Sequence, residues 1–527
     1  MHDSVAIVSA TAAGAAEPTA RAADSRAPAL PRPLRAALWM IAGAIVAGWL
    51  ALAALNLDDD YRGSNAQGVW MAAAEAARAG TLYPPLYDGQ HYAGTRYMPV
   101  PILLNALASA AAGDPLVGGR LLAGGLMAAL LVLATTVLRH VSCPWHIAAP
   151  LAAAIVGTEV GLQAATTVGG DLVAAVLQLG ALTLVLRSRQ HRSIAAAGML
   201  AGMAIASKLT GLWALLAVVT WLGARRQWRA AGLFGAASVI TAAVILGIVQ
   251  RLTGGGLSDH LLTFSTAGVQ GVTSLLRAPN QLLYQLIGHA YGAVVLLPLA
   301  AVGALLSGGW RHQSVIHLAL GYALLLLLAV YTDVGTGFNQ LLDVVVLGAL
   351  AVGVLAGRAA ASDATRTGHV ILLTVAMTVL WAAGLDLVRT IGRDLRLSVS
   401  AATRGPAVRA AEAVAGMVRP GETLLAQDPA IYVALGRQPL IMDAFMLARL
   451  DRAHPEWVHP LIASIAQRRF GLVVLTVPLE NRDFDLWWSD FDFGPRVAGA
   501  LRQAYRWDRQ VGRYHLYRPV RRTVRRQ

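Results

Sequence analysis

Three carboxylates in a row, Asp58, Asp59 and Asp60, follow directly on an apolar run of membrane-spanning length in "NLDDDYRGSNAQG" (56–68). Like charges this close raise one another's pKa, which suits one of them to act as a general base near neutrality. A plain solvated acidic loop is the competing reading. Farther along, Asp171 opens an apolar stretch in "TTVGGDLVAAVL", Glu159 sits near the end of another, and Asp333 lies in "YTDVGTGFNQ". Lys208, in "ASKLTG", is the single lysine of the chain, where arginine is otherwise the cation used. An ammonium is a compact phosphate binder, and Arg62 and Arg96 add guanidinium forks able to grip a phosphate bidentately. The chemistry such a set offers is a base for an acceptor hydroxyl together with cations for a departing phosphate.

These groups can act together only if the elements around them bring them to one place. The chain has 527 residues, 56% hydrophobic and 14% charged. A soluble chain carries about a quarter charged residues, and repeated apolar runs of roughly 20 residues account for the deficit. The expected class is a polytopic α-helical membrane protein with about eleven transmembrane helices. Spans are expected near 36–57, 116–138, 146–164, 171–187, 194–208, 210–224, 230–250, 281–307, 315–331, 340–357 and 368–388. The net charge of +14 is spread over many loops, as the positive-inside rule requires, and does not imply nucleic acid. Cys143 is the one cysteine, so there is no internal disulfide framework and no thiolate metal site.

The arginine-rich short loops are 139–146, 187–193, 224–230, 310–314 and 357–368, which places them in the cytoplasm with the N-terminal tail. Residues 1–33 read as a disordered cytoplasmic tail, and the first span reads as an uncleaved signal anchor. The opposite set (58–115, 163–170, Lys208, 251–280 and 331–340) is then extracytoplasmic, as is everything beyond the last span. Residues 34–392 form the membrane module of an integral plasma (inner) membrane protein. Within its first outer loop, 58–115, residues 98–112 and 65–79 are expected as interfacial helices. Residues 393–527 are expected to form an extracytoplasmic α/β domain, with strands in 421–429, 438–443, 470–477 and 512–519 and helices in 406–418, 456–468 and 494–505.

All the acids above and Lys208 thus fall on one side of the membrane. Single residues stay open to simpler readings: Asp171 as a helix N-terminal carboxylate, Lys208 as a snorkelling side chain, Glu159 as an interhelical hydrogen-bonding group, and Asp333 as a turn residue. "YPPLYDGQHYAGTRYMPVP" (83–101) adds Tyr83, Tyr87, His91 and Tyr97, and "DDDY" adds Tyr61. Their flat faces with polar tips suit a sugar, or an interfacial aromatic belt. Acids near a phosphate leave a divalent cation open, although no fixed ligand set is visible.

Four stretches resemble the GT-C superfamily of polytopic glycosyltransferases, the group that includes protein O-mannosyltransferases and lipid A aminoarabinose transferases. They are "DDDY" after the first span, "AARAGTLYPP" with "RYMPVPILLNALA" and "VGGRLLAGGLMAALLVL", "GGDLVAAVLQLGALTLVLR", and "AAAGMLAGMAIASKLTGLWALLAV". The resemblance implies a membrane transferase that takes a sugar from a polyprenyl-phosphate-linked donor on the extracytoplasmic face, with no nucleotide-sugar. It implies a loop-1 aspartate as base, Asp171 as a second acid and Lys208 at the donor phosphate. The acceptor class (lipid, glycan or protein) is left open. So is the choice among Asp58, Asp59 and Asp60, because the spacing to Gly80 is longer than the family's. The rival readings are a secondary transporter or flippase, and a non-catalytic lipid- or glycan-binding assembly protein of the same fold. The acids at the rim, the outer domain and the lack of an evident inverted repeat weigh against a transporter.

Overall fold

The computed structural model describes residues 30–58, 65–265, 272–306, 314–333, 335–362, 366–402, 409–481 and 492–520. Asp59, Asp60, Tyr61 and Arg62, and most of the tail expected over 1–33, lie outside the described residues.

The first helices are α1 (Arg32–Leu55), α2 (Asn65–Arg78), α3 (Pro99–Ala112), α4 (Pro115–His140), α5 (Trp145–Gly157) and α6 (Glu159–Thr166). Next come α7 (Asp171–Arg187), α8 (His191–Ile205), α9 (Trp213–Ala224), α10 (Trp228–Leu252), α11 (Gly256–Ser265) and α12 (Val272–His289). They are followed by α13 (Tyr291–Leu305), α14 (Val315–Val330), α15 (Leu342–Ala361), α16 (Arg366–Asp386) and α17 (Arg393–Ala402). Among the described residues, five helical stretches are long and apolar enough to cross a membrane, and the bent pair α5–α6 makes a sixth. This is an integral membrane protein. α15 is buried along most of its length and lies in the largest apolar core, whose residues run from Leu30 to Ile391.

Two expected spans are broken. The run 146–164 bends by 70° between α5 and α6, where the Thr158 hydroxyl accepts from the Gly161 N–H at 3.0 Å and so caps the new helix. The run 281–307 is divided at Ala290 into α12 and α13. The cause is Asp386, 94 residues away, whose Oδ1 accepts from the Gly292 N–H at 3.1 Å in the first turn of α13. Residues 251–280, read as loop, are largely helical in α11 and α12. The segments 65–79 and 98–112 are helical, as α2 and α3. The last span continues through a π-helical turn, Leu387–Gly392, into α17, so the membrane helix runs past residue 392.

Beyond α17 lies an α/β unit. Its elements are α18 (Ala410–Ala415), β1 (Leu424–Ala426), α19 (Ala430–Ala434), α20 (Ala444–Ala453), α21 (Pro455–Ala466), β2 (Leu472–Leu475), α22 (Pro495–Ala504), β3 (Tyr505–Val511) and β4 (Tyr514–Pro519). The sheet order is β1-β2-β4-β3, parallel at β1–β2 and antiparallel elsewhere. Residues 438–443 do not form the expected strand. Ile441 makes only a lone bridge to Tyr92 of the membrane part.

That bridge shows which end of the bundle the α/β unit covers. The Tyr92 N–H donates to the Leu440 carbonyl at 2.8 Å, and the Met442 N–H donates to the Tyr92 carbonyl at 2.9 Å. Arg409 Nε donates to the Asp58 carbonyl at 2.9 Å and also pairs with Asp114. The loops ending in Asp58 and Asp114, the loop before Asp171, the Lys208 turn and Asp333 all lie at this end. The arginine-rich turns 139–146, 187–193 and 224–230, and the described ends of α15 and α16 at Arg358 and Arg366, lie at the other.

Candidate active site

α7 begins at Asp171, and its position depends on the glycine just before it. A β-carbon on Gly170 would come within 2.5 Å of the Trp70 ring and 2.9 Å of Pro101. Only glycine lets this loop pass between α2 and α3. Gln67 Oε1 accepts from the Val168 N–H at 3.2 Å, and the Asn105 side-chain amide donates to the Gly169 carbonyl at 3.1 Å. Gly170→Val is expected to move the loop or the Trp70 ring and to destabilise the fold by about 1–3 kcal/mol. A lower melting temperature with activity lost in parallel is the expected measurement.

Lys208 reaches the same point from the end of α8. The Ser207 hydroxyl donates back to the Met203 carbonyl, and the Gly211 N–H donates to the Lys208 carbonyl at 2.7 Å, so the chain reverses just beyond the helix. Lys208 Nζ then lies 2.8 Å from Asp171 Oδ1, with only 12% of the lysine side chain exposed. The Asn339 side-chain amide donates to Asp171 Oδ2 at 2.9 Å, so both carboxylate oxygens are engaged. Buried Asp343, in the first turn of α15, adds a second negative field on the lysine. It lines a small pocket of about 10 Å³ with Thr210, Trp213 and Gln340, room for about one water.

The polar set extends toward the α/β unit. Arg96 reaches Asp333 Oδ2 at 3.2 Å and donates to the Gly335 carbonyl at 3.1 Å. Arg449 reaches Asp333 Oδ1 at 2.8 Å. Both guanidinium groups lie over the Phe445 ring, 5.1 and 4.7 Å from its centroid. Tyr97 stacks on Trp70 with ring centroids 4.0 Å apart, and its hydroxyl feels the charges of Asp443, Arg96 and Asp171. Burial pushes the Asp443 carboxyl up to about 6, against Arg96, the Phe445 and Met446 N–H groups and Arg449.

A carboxyl that ionises later in the folded state than in the unfolded one favours folding when protonated. Its contribution is full below the ordinary carboxylate pKa and is lost as pH rises through about 6. The loss expected over that window is about 3 kcal/mol. Asp443→Asn keeps the cap on the Phe445 N–H, now 3.0 Å from Asp443 Oδ1. Melting temperature between pH 4 and 7 is expected to fall in the wild type and to stay flatter in the variant.

The candidate residues thus divide into groups. Asp171, Lys208, Arg96, Tyr97 and Asp333 form one contiguous polar zone. Asp58 is exposed, and its carbonyl accepts from Arg409. Glu159 lies in a neighbouring cluster, 3.4 Å from His289 Nδ1 and 3.3 Å from Arg393, where His289 stacks on Phe338 beside Asn339. Tyr83 is buried, and its hydroxyl donates to the Tyr97 carbonyl at 2.6 Å, so it holds Tyr97 in place rather than facing a cavity. Tyr87 stacks on Tyr92 and on Trp457 of the α/β unit, and His91 pairs with Asp88 of its own loop at 3.0 Å.

Asn339, Asp343, Arg449, Asp443 and Trp70 are site residues that the sequence reading passed over. Asn339 and Asp343 flank the glycine turn that carries Asp333, the one local signal that pointed to them. No group of three or more metal-ligating side chains occurs among the described residues.

The sequence model of glycosyltransferase family 87 matches residues 97–261, the segment that carries Tyr97, Asp171 and Lys208. No curated protein matches the chain by sequence. Among solved structures, ArnT from Cupriavidus metallidurans bound to undecaprenyl phosphate is similar at a TM-score of 0.52 and 14% identity, covering 91% of this chain and 98% of that one. The apo oligosaccharyltransferase of Archaeoglobus fulgidus is similar at a TM-score of 0.51 and 12% identity, covering 86% and 72%. The chain has the GT-C fold that the sequence resemblance implied.

Proposed function

We propose that this GT-C-fold membrane protein is a glycosyltransferase. It moves a sugar from a polyprenyl-phosphate donor to a lipid, glycan or protein acceptor at the end of the bundle covered by the α/β unit, on the extracytoplasmic side. The observation that carries this reading is the chain's single lysine, held 2.8 Å from Asp171 at that end. The family-87 match over the same segment supports it, as does the undecaprenyl phosphate bound by the ArnT of similar fold.

In this reading Lys208 and Arg96 receive the donor phosphate. Asp171, held by Asn339 and Lys208, aims the ammonium rather than taking a proton, because both its oxygens are already engaged. As the glycosidic C–O bond breaks, negative charge grows on the phosphate oxygen, and a fixed cation in a site shielded from water stabilises it. The acceptor hydroxyl loses its proton to one of Asp58, Asp59 and Asp60. Arg62 of the same loop is a further phosphate-binding group, and Tyr97 and Tyr61 offer ring faces to the sugar.

The test is transfer of a labelled sugar from a defined polyprenyl-phosphate donor to membrane acceptors by the purified full chain in proteoliposomes. Labelled product that depends on Lys208 is expected. Donor binding without turnover for any acceptor class would favour a non-catalytic binding protein instead.

A further inference from the structure

At the opposite end of the bundle, α7 and α9 end and α8 and α10 begin, and the two turns between them meet in a groove of about 500 Å³. It is lined by Arg189, His191, Arg226, Gln227, Trp228 and Arg229. The 17 residues of α7 separate it from Asp171 by about 26 Å.

The groove is cationic without compensation. Arg189, Arg226 and Arg229 take part in no ion pair among the described residues. α8 and α10 have no acidic residue in the first turn and no side-chain cap, since Gln190 and Gln227 leave their N-terminal N–H groups unbonded by side chains. Those N–H groups add partial positive charge to that of the arginines. Arg189 and Arg225 flank the Trp221 ring at 5.5 and 4.3 Å from its centroid, so two like charges are held close together. Arg226 sits at φ +60°, a left-handed conformation unfavourable for arginine, in the tight turn after α9.

An apolar track leads away from this cationic pocket. Trp228, at the lip, is 69% exposed, and Val239, Ile240, Val244 and Ile248 of α10 are exposed below it. α10 is long and apolar enough to span a bilayer, and little of it is covered by protein. A ligand with an anionic head and hydrocarbon tails fits both features, whereas a free phosphate fits only the first.

We propose that this groove binds the phosphodiester headgroup of an anionic phospholipid, whose acyl chains lie along the exposed face of α10. The arginines and helix N-termini hold the phosphate, and Trp228 sits at the level of the glycerol backbone. This assignment is independent of the sugar-transfer reading.

The test uses the full chain, reconstituted in phosphatidylcholine nanodiscs containing a minority of phosphatidylglycerol, and counts the lipids retained by native mass spectrometry. The wild type is expected to retain phosphatidylglycerol in preference to phosphatidylcholine. R189Q/R226G/R229Q is expected to lose that preference by on the order of a hundredfold, roughly fivefold per arginine. R226G alone, where glycine relieves the backbone, is expected to lose about fivefold with an unchanged melting temperature. R366Q, an exposed arginine at the same end outside the groove, is expected to change nothing. Equal retention by the R226G and wild-type proteins would overturn the proposal. So would an equal loss in R366Q, or displacement of the lipid by millimolar inorganic phosphate as complete as by added phosphatidylglycerol.

Discussion

Replacing Lys208 with methionine is expected to lower sugar transfer by about 10²–10³-fold, the size seen when one preorganised group facing developing charge is removed. The side-chain volume is nearly kept, so the loss comes from the charge. Two carboxylates act on the ammonium, Asp171 at 2.8 Å and Asp343 through its field. Removing the cation leaves them facing each other in a shielded place, and a buried pair broken on one side costs about 3–5 kcal/mol. K208M therefore needs a companion. K208R restores charge and folding but exchanges a point charge for a planar fork. If the lysine aims at a phosphate, K208R recovers stability fully and activity only in part. If Lys208 serves only to neutralise Asp171 and Asp343, K208R recovers both. Melting temperature and turnover measured on both variants separate the two cases, and full activity in K208R would remove the phosphate role.

How much of this site was legible in the sequence depends on how far apart its parts lie. Asp171 and Lys208 stand out locally, one because it opens a span after two glycines and the other because the chain has no second lysine. Counting arginines in alternate loops placed them at one end, and the helix ends agree: α7 runs from Asp171 to Arg187 and α8 returns toward Lys208. Their partners were hidden. Asn339 is 168 residues from Asp171, and Arg449 is 116 from Asp333. Neither type is unusual where it stands. The break at Ala290 was hidden for the same reason, because Asp386 supplies its cap from a distant helix. β3 was missed on pattern: "YRWDRQV" carries three charged residues, as an edge strand with one wet face can. The strand expected at 438–443 has the right apolar burst but finds a single backbone partner, Tyr92, where a ladder was needed.

The other large effect is expected in the first outer loop. Asn replacement of the true base among Asp58, Asp59 and Asp60 is expected to lower turnover by about 10²–10⁴-fold, the usual contribution of a positioned proton acceptor. Donor affinity and melting temperature are expected to stay the same. At the start of this loop the chain is held by Arg120 donating to the Asn56 carbonyl and by Arg409 donating to the Asp58 carbonyl at 2.9 Å. These are main-chain contacts, so changing a carboxylate to an amide at Asp58 leaves them in place. The Asp58 residue itself is exposed. Asp171→Asn is expected to behave differently. It removes a charge 2.8 Å from Lys208, so donor affinity and the salt dependence of binding change along with turnover. The kinetic signature thus divides the acids: a base lowers kcat alone, while a positioning carboxylate moves KM and kcat together. Three single variants, D58N, D59N and D60N, all with wild-type kcat would remove the loop-1 base from the mechanism. The search for the proton acceptor would then move to Asp443, the one carboxyl of the zone held near pH 6.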